Sequence, residues 1–441
     1  MGSLRRKTGG PGAAAIPILF AALLMFPCGL RAADTLIPAD DPAINYYGRF
    51  DFSNPKSPRF NWSGSTIEFA VKGTTTVGME MADGAGYFDV EVDGNAQAAP
   101  IKADSYAARK YVLASGLSTG DHVIRVIRRN EPYWVIAAFG GVYVAEGGSL
   151  TRMPKPARKM EFVGDSWTAG YFNEGCADQQ ANTNTNKAWA RLTSRAFHAQ
   201  DIILAESGIG LAKSLGGKAV MPKRYPDTFD TAGGAATPAW DFAWKPDIVS
   251  IFLGINDKNA GATDAQYTTA VHAFVATLRG HYPDAAILFM SLGGGNMDAA
   301  TKAAVAAETT SLGHPRVYYH EVKINVTGCQ YHPNLAEAKA ISDAAIARII
   351  EITGWDTAQA PMSLKRRRTG ALPSGYFRNE GLPVLAIAAD GRIAGGWKPF
   401  GDGNAPKEAG SFAAGAFWIG NRDGRWTRFP VARQAGYASA P

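Results

Sequence analysis

The sequence has only 3 cysteines, no long hydrophobic run beyond its first 32 residues and no low-complexity block. Without a second apolar stretch of about 20 residues, it offers no other candidate membrane-spanning helix. No group of histidines and carboxylates has metal-ligand spacing, so we expect neither a metal nor a cofactor. At 441 residues the chain exceeds what one hydrophobic core usually organises, which predicts two domains.

The formal net charge of +6 arises at the two ends of the chain. Residues 1–32 carry four basic residues and no acidic ones, and residues 356–441 carry 12 Lys or Arg against 6 Asp or Glu. The segment 33–355 therefore has a net charge of −4. Because its core has no excess of basic residues, we expect no nucleic-acid partner.

The N-terminus has the layout of a secretory signal peptide. Arg5-Arg6-Lys7 precede the apolar run Ala13–Leu30, and a small-residue cleavage site follows. We expect residues 1–32 to be removed, leaving a secreted or periplasmic protein without stable membrane association. The alternative is an uncleaved anchor, but the run is near the lower length limit for a span and is interrupted by Pro17 and Pro27.

Residues 33–152 are predicted to form an all-β, jelly-roll-like sandwich domain. Short runs alternate apolar and polar residues, are separated by turn residues and show no helical period. Strands at this spacing are typical of a β-sandwich. The predicted strands are Ser65–Gly73, Tyr87–Asp93, His122–Arg128 and Trp134–Val144.

After the proline-containing linker Met153–Pro156, strands and helices alternate over residues 157–355. This alternation predicts a parallel sheet covered by helices on both faces, a three-layer α/β/α domain. The predicted strands are Met160–Val163, Ile202–Ala205, Asp247–Leu253, Ala286–Leu292 and Arg316–Val322, and the predicted helices are Lys187–Phe197, Ala265–Gly280 and Asn334–Ile352. One face of the last helix should bury Leu335, Ala338, Ile341, Ala345 and Ile349.

The tail, residues 356–441, has no assigned fold or function. The run Lys365–Arg368 is typical of a solvated linker, and Val384–Ala388 and Ala416–Ile419 have the composition of short strands. Its bias toward Gly, Ala, Arg and Pro also fits an out-of-frame extension.

The turn Gly164–Thr168 follows an apolar strand and carries Ser166. In α/β enzymes an exposed nucleophile often lies on such a turn, because glycine lets the chain bend sharply before the next helix. Taken alone, Gly-Asp-Ser is also a common turn sequence.

Three further motifs lie at strand ends or helix starts. Gly210 lies in the segment Glu206–Leu211, where a backbone N–H could approach a carbonyl oxygen. Asn256 lies in Gly254–Asp257 and has a side-chain amide donor. His332 precedes a proline that suits the first turn of a helix. Because the carboxyl ends of parallel strands converge, we expect these residues to share one crevice.

Together these residues form a complete site for acyl transfer. Serine is a poor nucleophile until a base removes its proton, and His332 supplies a base near neutral pH for Ser166. The N–H groups of Ser166 and Gly210 and the amide of Asn256 would stabilise an oxyanion.

Once the signal peptide is removed, Cys176 and Cys329 are the remaining cysteines. Cys176 lies just beyond the Ser166 turn, and Cys329 lies three residues before His332, so one disulfide could join the two loops. Two free thiols are the alternative.

The four motifs resemble the four blocks of the SGNH, or GDSL-type, hydrolases over residues 160–352. The combination with a preceding β-sandwich is similar to carbohydrate esterase family 2. The segments that carry this second resemblance are Trp62–Ser65, Val92–Gly94, Gly116–His122, Trp244–Asp247 and Gly328–Pro333. The resemblance implies removal of O-acetyl groups from xylan, glucomannan and related sugars, with preference for the primary 6-hydroxyl. It also implies Ser166 as nucleophile, His332 as base, and Gly210 and Asn256 as oxyanion donors.

One position departs from the SGNH pattern. These enzymes commonly carry an aspartate two or three residues before the histidine, where it orients the imidazole, but this chain has Cys329 and Gln330 there. Some members of the esterase family resemble this chain and work with a Ser-His dyad. A backbone carbonyl, or the amide oxygen of Gln330, must then fix the tautomer of His332.

We therefore expect an exported serine esterase that deacetylates an oligo- or polysaccharide. Trp167, Tyr171 and Tyr331 adjoin catalytic positions, where they could stack on a sugar ring or simply pack. Two alternatives stay open. One is an SGNH esterase of another specificity, such as a lipase, a thioesterase or a peptidoglycan deacetylase. The other is a carbohydrate-binding protein that has lost the chemistry.

Overall fold

A computed structural model describes residues 34–132, 135–231, 237–294 and 296–357, together with five short strands of the tail. The predicted signal peptide lies outside the described residues. The chain divides into two units, Met1–Ala358 and Gln359–Pro441. In the described part of the chain, no helix is both long and apolar enough to cross a membrane.

The N-terminal region is a ten-stranded antiparallel sheet. Its strands are β1 (Thr35–Pro38), β2 (Asn45–Tyr47), β3 (Arg59–Phe60), β4 (Thr66–Lys72), β5 (Thr76–Val92), β6 (Asn95–Ala96), β7 (Ile101–Ser115), β8 (His122–Arg128), β9 (Ala137–Val144) and β10 (Ser149–Thr151). The predicted β-structure is confirmed, but its strands pair continuously in one curled sheet.

The 17-residue strand β5 makes the sheet curl. It pairs with β7 from Thr76 to Phe88 on one edge, and on the other edge first with β9 and then, from Phe88 onward, with β8. Register shifts fall on either side of Asp83, whose carboxylate accepts the N–H groups of Ala85 and Gly86. Such a bulge bends a strand and increases its twist. Inward-facing side chains of both halves, including Met79 and Phe88, therefore share one core.

The second region contains a five-stranded parallel sheet in the order β12-β11-β13-β14-β15. The strands are β11 (Lys159–Gly164), β12 (Gln200–Ala205), β13 (Ile248–Phe252), β14 (Ala286–Leu292) and β15 (Val317–Val322). The three adjacent strands β12, β11 and β13 are buried almost throughout, which is why they read as continuous apolar runs.

Helices cover both faces of this sheet. They are α1 (Ser166–Ala169), α2 (Gln179–Asn182), α3 (Trp189–Ala196), α4 (Met221–Arg224), α5 (Ile255–Asn259), α6 (Asp264–His281), α7 (Asp298–Thr310) and α8 (Leu335–Thr353). Side chains of α6 and α7 enter one core cluster, and those of α3 and α8 enter another. The predicted three-layer α/β/α fold class is confirmed.

One predicted core position is wrong. Leu335 is 41% exposed, whereas Ser342 occupies a buried position on α8. Asn334 caps the helix in a reciprocal capping box with Glu337, so Leu335 is the first helical residue. It lies in the turn next to the His332 loop, ahead of the buried stripe that starts at Ala338.

The tail contributes two small antiparallel sheets. One pairs β16 (Gly375–Phe377) with β17 (Leu385–Ile387), and the other joins β18 (Gly410–Ala413), β19 (Ala416–Gly420) and β20 (Trp426–Pro430). The two runs with strand-like composition coincide with β17 and β19.

Candidate active site

The serine turn is built by its neighbours in sequence. Asp165 caps α1, and its Oδ1 accepts the N–H of Trp167 at 3.0 Å. A Cβ atom on Gly164 would lie 2.0 Å from Thr168 Oγ1, so the turn requires glycine at this position. Ser166, the first residue of α1, is 5% exposed.

Ser166 and His332 meet although 166 residues separate them. His332 Nε2 lies 2.8 Å from Ser166 Oγ, and His332 Nδ1 lies 2.9 Å from the main-chain oxygen of Gln330. A carbonyl only accepts, so Nδ1 carries the proton and Nε2 is left as the acceptor facing the hydroxyl. Burial lowers the pKa of His332 below its usual value, and the Gln330 and Cys329 backbone bonds partly oppose this.

A tight turn presents the carbonyl that faces His332. Gln330 and Tyr331 have φ values of +51° and +59°, and they lie in a 3-10 turn that begins at Cys329. Two consecutive left-handed non-glycine residues are costly and persist only where the surroundings hold them. The side-chain oxygen of Gln330 points elsewhere, since it lies 3.5 Å from the hydroxyl of Tyr171.

Cys176 and Cys329 form a disulfide, with their Cα atoms 5.6 Å apart. The bridge connects the loop after α1 to the turn before His332. The ring of Tyr171, on the same loop as Cys176, lies 4.6 Å from the imidazole, centroid to centroid. The bridge and the ring contact therefore hold the histidine turn against the serine side of the crevice.

Asn256 lies at the start of α5, directly beside the serine turn. Its Nδ2 donates to the carbonyl of Ile209 at 2.8 Å and to Asp165 Oδ2 at 3.3 Å. The N–H of Ser166 has no hydrogen-bond acceptor among the residues that the structure describes. Among the described residues the Ser166 N–H is thus an uncommitted main-chain donor, whereas the Asn256 amide is held in a fixed orientation with both of its hydrogens engaged.

Gly210 is more constrained than its sequence position suggests. Its N–H donates to Ser214 Oγ at 3.0 Å, and an added Cβ would lie 1.9 Å from the Lys213 carbonyl. Gly208, two residues earlier, has a φ of +83°, and its N–H has no acceptor within the described ranges. The Gly210 N–H could donate to a substrate only by breaking its hydrogen bond to Ser214 Oγ or by sharing its hydrogen between the two acceptors.

Asp165 was not identified from the sequence as a functional residue. It is fully buried, and its pKa is raised to about 7. The largest cause is desolvation, to which the charges of Asp257 and Glu131 add. A buried carboxyl with a raised pKa beside a crevice is a candidate functional group, but burial of this kind has no sequence signature.

The three aromatic residues have different environments. Trp167 is 6% exposed and packs edge-to-face on Phe252, 5.8 Å away between centroids. Both side chains line a small pocket beside the serine turn, together with Asp165. Tyr171 covers the imidazole, whereas Tyr331 is 81% exposed. Of the three, Tyr331 offers the most open ring face, and Trp167 belongs to the core.

No cluster of three or more His, Cys, Asp or Glu residues within the described part of the chain could hold a metal ion. The groups that the crevice brings together are the Ser166 hydroxyl, the His332 imidazole and the Asn256 amide.

Two family sequence models match the chain. The carbohydrate esterase 2 N-terminal family matches residues 46–154, and the GDSL-like lipase/acylhydrolase family matches residues 162–322. The first match covers the curled sheet except β1 and the first residue of β2, and the second contains both the serine turn and Asn256.

Similar proteins agree with these matches. The chain is 33% identical over 346 residues to the cellulase/esterase CelE of Acetivibrio thermocellus, covering 74% of this chain but only 41% of that protein. It is 28% identical over 334 residues to an acetylxylan esterase/glucomannan deacetylase of Cellvibrio japonicus, covering 74% and 91% of the two chains.

A solved structure extends the likeness to the fold. A family two carbohydrate esterase from Clostridium thermocellum, in complex with cellohexaose, has 32% sequence identity and a TM-score of 0.65. The alignment covers 71% of this chain and 99% of that one. From the two-region fold, the serine–histidine geometry and these matches, we conclude that the chain belongs to carbohydrate esterase family 2.

Proposed function

We propose that this protein is an exported serine esterase that removes O-acetyl groups from a plant cell-wall polysaccharide such as xylan or glucomannan. The observation that carries the proposal is the 2.8 Å contact between Ser166 Oγ and His332 Nε2. This distance lies within the range in which a base can take the serine proton.

The reaction follows from this geometry. His332 Nε2 takes the proton from Ser166 Oγ as that oxygen attacks the acetyl carbonyl carbon. The protonated imidazole then gives its proton to the sugar oxygen, the ester bond breaks and an acetyl-serine remains. A water molecule, deprotonated by the same Nε2, attacks the acetyl-serine, and acetate leaves as the proton returns to Ser166.

The negative charge that develops on the acetyl oxygen needs nearby donors. The proposed donors are the N–H of Ser166, the Asn256 amide and the N–H of Gly210. Asn256 would have to give up its longer contact, to Asp165 Oδ2 at 3.3 Å, and Gly210 its contact with Ser214. Each donor of this kind is typically worth about 3–4 kcal/mol of transition-state stabilisation. The carbonyl of Ile209 supports the role of Asn256, because it fixes the orientation of the amide.

A dyad replaces the usual triad in this proposal. The Gln330 carbonyl holds Nδ1–H, and so performs the orienting part of the aspartate's role. It has no formal charge, so it stabilises the imidazolium less than a carboxylate would. Burial lowers the pKa of His332, which favours the neutral imidazole that a base must be.

The substrate class is inferred from the relatives and from the mouth of the crevice. The Cellvibrio relative is an acetylxylan esterase/glucomannan deacetylase, and the Clostridium structure contains cellohexaose. The exposed ring of Tyr331, next to His332, offers a flat apolar surface for a sugar ring. Its 81% exposure fits a long polysaccharide better than a small buried ester.

Hydrolysis of p-nitrophenyl acetate and acetate release from acetylated xylan test the proposal. We expect wild type to turn over both substrates, while Ser166→Ala and His332→Ala lose at least about a thousandfold in kcat. Ser311→Ala, which alters an exposed serine after α7, is the matched control and should behave as wild type.

Wild type no faster than Ser166→Ala would reject the esterase, and binding of cello-oligosaccharides without turnover would favour a carbohydrate-binding protein. Turnover of acyl esters but not of acetylated sugars would favour an SGNH esterase of another specificity. Comparing 6-O-acetyl with 2- and 3-O-acetyl sugars then tests the expected preference for the primary position.

A further inference from the structure

The segment that follows β8 leaves the N-terminal sheet and enters the catalytic region. Glu131, at the end of this segment, is 1% exposed. Its Oε2 accepts the main-chain N–H of Ser207, and its Oε1 accepts the Ser207 hydroxyl, each at 2.6 Å. A carboxylate that accepts two hydrogen bonds from one residue fixes both the position and the rotation of that residue.

Ser207 belongs to the loop that orients the proposed oxyanion donors. The next residue, Gly208, has a left-handed φ and an uncommitted N–H within the described ranges. One residue later, the carbonyl of Ile209 accepts the Asn256 amide at 2.8 Å. A displacement of Ser207 would therefore move the acceptor that holds Asn256.

The surroundings of Glu131 contain both signs of charge. Lys218 Nζ donates to the carbonyl of Ser207 at 2.8 Å and to Glu206 Oε1 at 2.7 Å. Burial raises the pKa of Glu131, while the Ser207 hydrogen bonds and the Lys218 charge lower it. The charge of Glu131 also contributes, after desolvation by burial, to the raised pKa of Asp165 and of Tyr171.

The same segment also holds the opposite side of the crevice. Arg129 Nη2 donates to the carbonyl of Ala181 at 2.8 Å and pairs with Glu174. The carbonyl of Arg129 accepts the N–H of Thr185 at 2.9 Å. These contacts are made to residues 174–185, a segment that contains Cys176 and α2, so the N-terminal region supports both sides of the serine–histidine pair.

We propose that Glu131 is a positioning residue for the esterase reaction, supplied by the N-terminal region, which orients the Ser207–Ile209 loop and through it the Asn256 amide. The N-terminal region then completes the oxyanion site in addition to any role in binding carbohydrate. This inference rests on the proposed esterase function.

Two substitutions separate geometry from charge. Glu131→Gln keeps the length of the side chain, so its oxygen can accept the Ser207 N–H and its amide can donate to the Ser207 hydroxyl. Glu131→Asp keeps the charge but is one methylene shorter and cannot reach both groups. Thr66→Val is the matched control, because the Thr66 hydroxyl is also buried and accepts from Arg191 across the same interface at 3.1 Å.

The measurement is kcat and KM for p-nitrophenyl acetate, with thermal unfolding of each variant to verify the fold. We expect Glu131→Asp to lower kcat by about 10–100-fold with KM within about threefold, since a small misplacement of a donor costs this much. Glu131→Gln and Thr66→Val should keep kcat within about threefold of wild type.

A kcat of Glu131→Asp equal to that of Thr66→Val would overturn the positioning role. A Glu131→Gln variant as slow as Glu131→Asp would also overturn it, because the charge rather than the geometry would then matter. Wild type no faster than Ser166→Ala would instead reject the esterase function itself, so the two failures are distinguishable.

Discussion

Removal of the Cys176–Cys329 disulfide should lower both stability and activity, and the size of the first effect follows from the sequence. The bridge closes a loop with a sequence separation of 153 residues. In the chain-entropy account, a loop of this length stabilises the native state by about 5 kcal/mol, which is an upper value because residual structure in the unfolded chain reduces it.

The double variant Cys176→Ser, Cys329→Ser provides the perturbation. Its free energy of unfolding in urea should be lower than that of wild type by about 2–5 kcal/mol. Because Cys329 begins the turn that presents the Gln330 carbonyl to His332, kcat should also fall by about tenfold or more under conditions where both proteins are folded.

Mass spectrometry after alkylation without reduction establishes that the wild type contains the bridge. A loss of stability below about 1 kcal/mol in the double variant would refute the entropic argument. An unchanged kcat would refute the idea that the bridge holds the histidine turn in place.

Four further results are expected. Gln330→Ala should keep kcat within about threefold, because the main-chain carbonyl remains; a loss above tenfold would make the amide the orienting group. The acid limb of kcat/KM against pH should have its midpoint below 6.5, because burial lowers the pKa of His332, and a midpoint above 6.5 would contradict this. The pKa of the Asp165 carboxyl is about 7 in the native state and 3.8 in the unfolded chain, so at pH values between these two the native state binds one more proton than the unfolded chain. The free energy of unfolding of wild type should therefore fall from pH 4 to 7 relative to that of Asp165→Asn. If both proteins show the same dependence on pH, the raised pKa of Asp165 is refuted. Tyr331→Ala should raise the KM for acetylated xylan by about 3–10-fold and leave the KM for p-nitrophenyl acetate unchanged. Equal increases in KM for both substrates would exclude stacking of the Tyr331 ring on a sugar.

The sequence predicted the elements whose burial is either continuous or periodic. The strands of the parallel sheet are continuous apolar runs, and α8 repeats its buried residues at helical spacing. The sequence did not predict β7, the first half of β5 or α7. In β5 the stretch Asp83–Gly86 has the composition of a turn, yet it forms a bulge within one strand. In α7 the alanine-rich composition has no strong apolar stripe, and packing on α6 stabilises it.

In the site, the side chains of the proposed chemistry could be predicted from the sequence, and so could a backbone carbonyl as one of two possible partners of His332. The groups that support these residues from distant parts of the chain could not. Ser166 and His332 each follow a recognisable motif, and their contact was expected from sheet topology. The group facing Nδ1 is a main-chain oxygen, which any residue at position 330 would supply. Glu131 contacts Ser207 across 76 residues and from another region of the chain, so no local pattern identifies it.

Isolation of the acyl-enzyme tests the central claim most directly. A reaction with p-nitrophenyl acetate is quenched with acid within one turnover, the protein is digested, and the peptide containing Ser166 is sequenced by mass spectrometry. The account predicts an acetyl group on Ser166 in wild type, accumulating further in a variant whose deacylation is slowed, and none on that peptide in Ser166→Ala. Turnover of substrate with acetyl on another residue, or undiminished turnover by Ser166→Ala, would contradict the account.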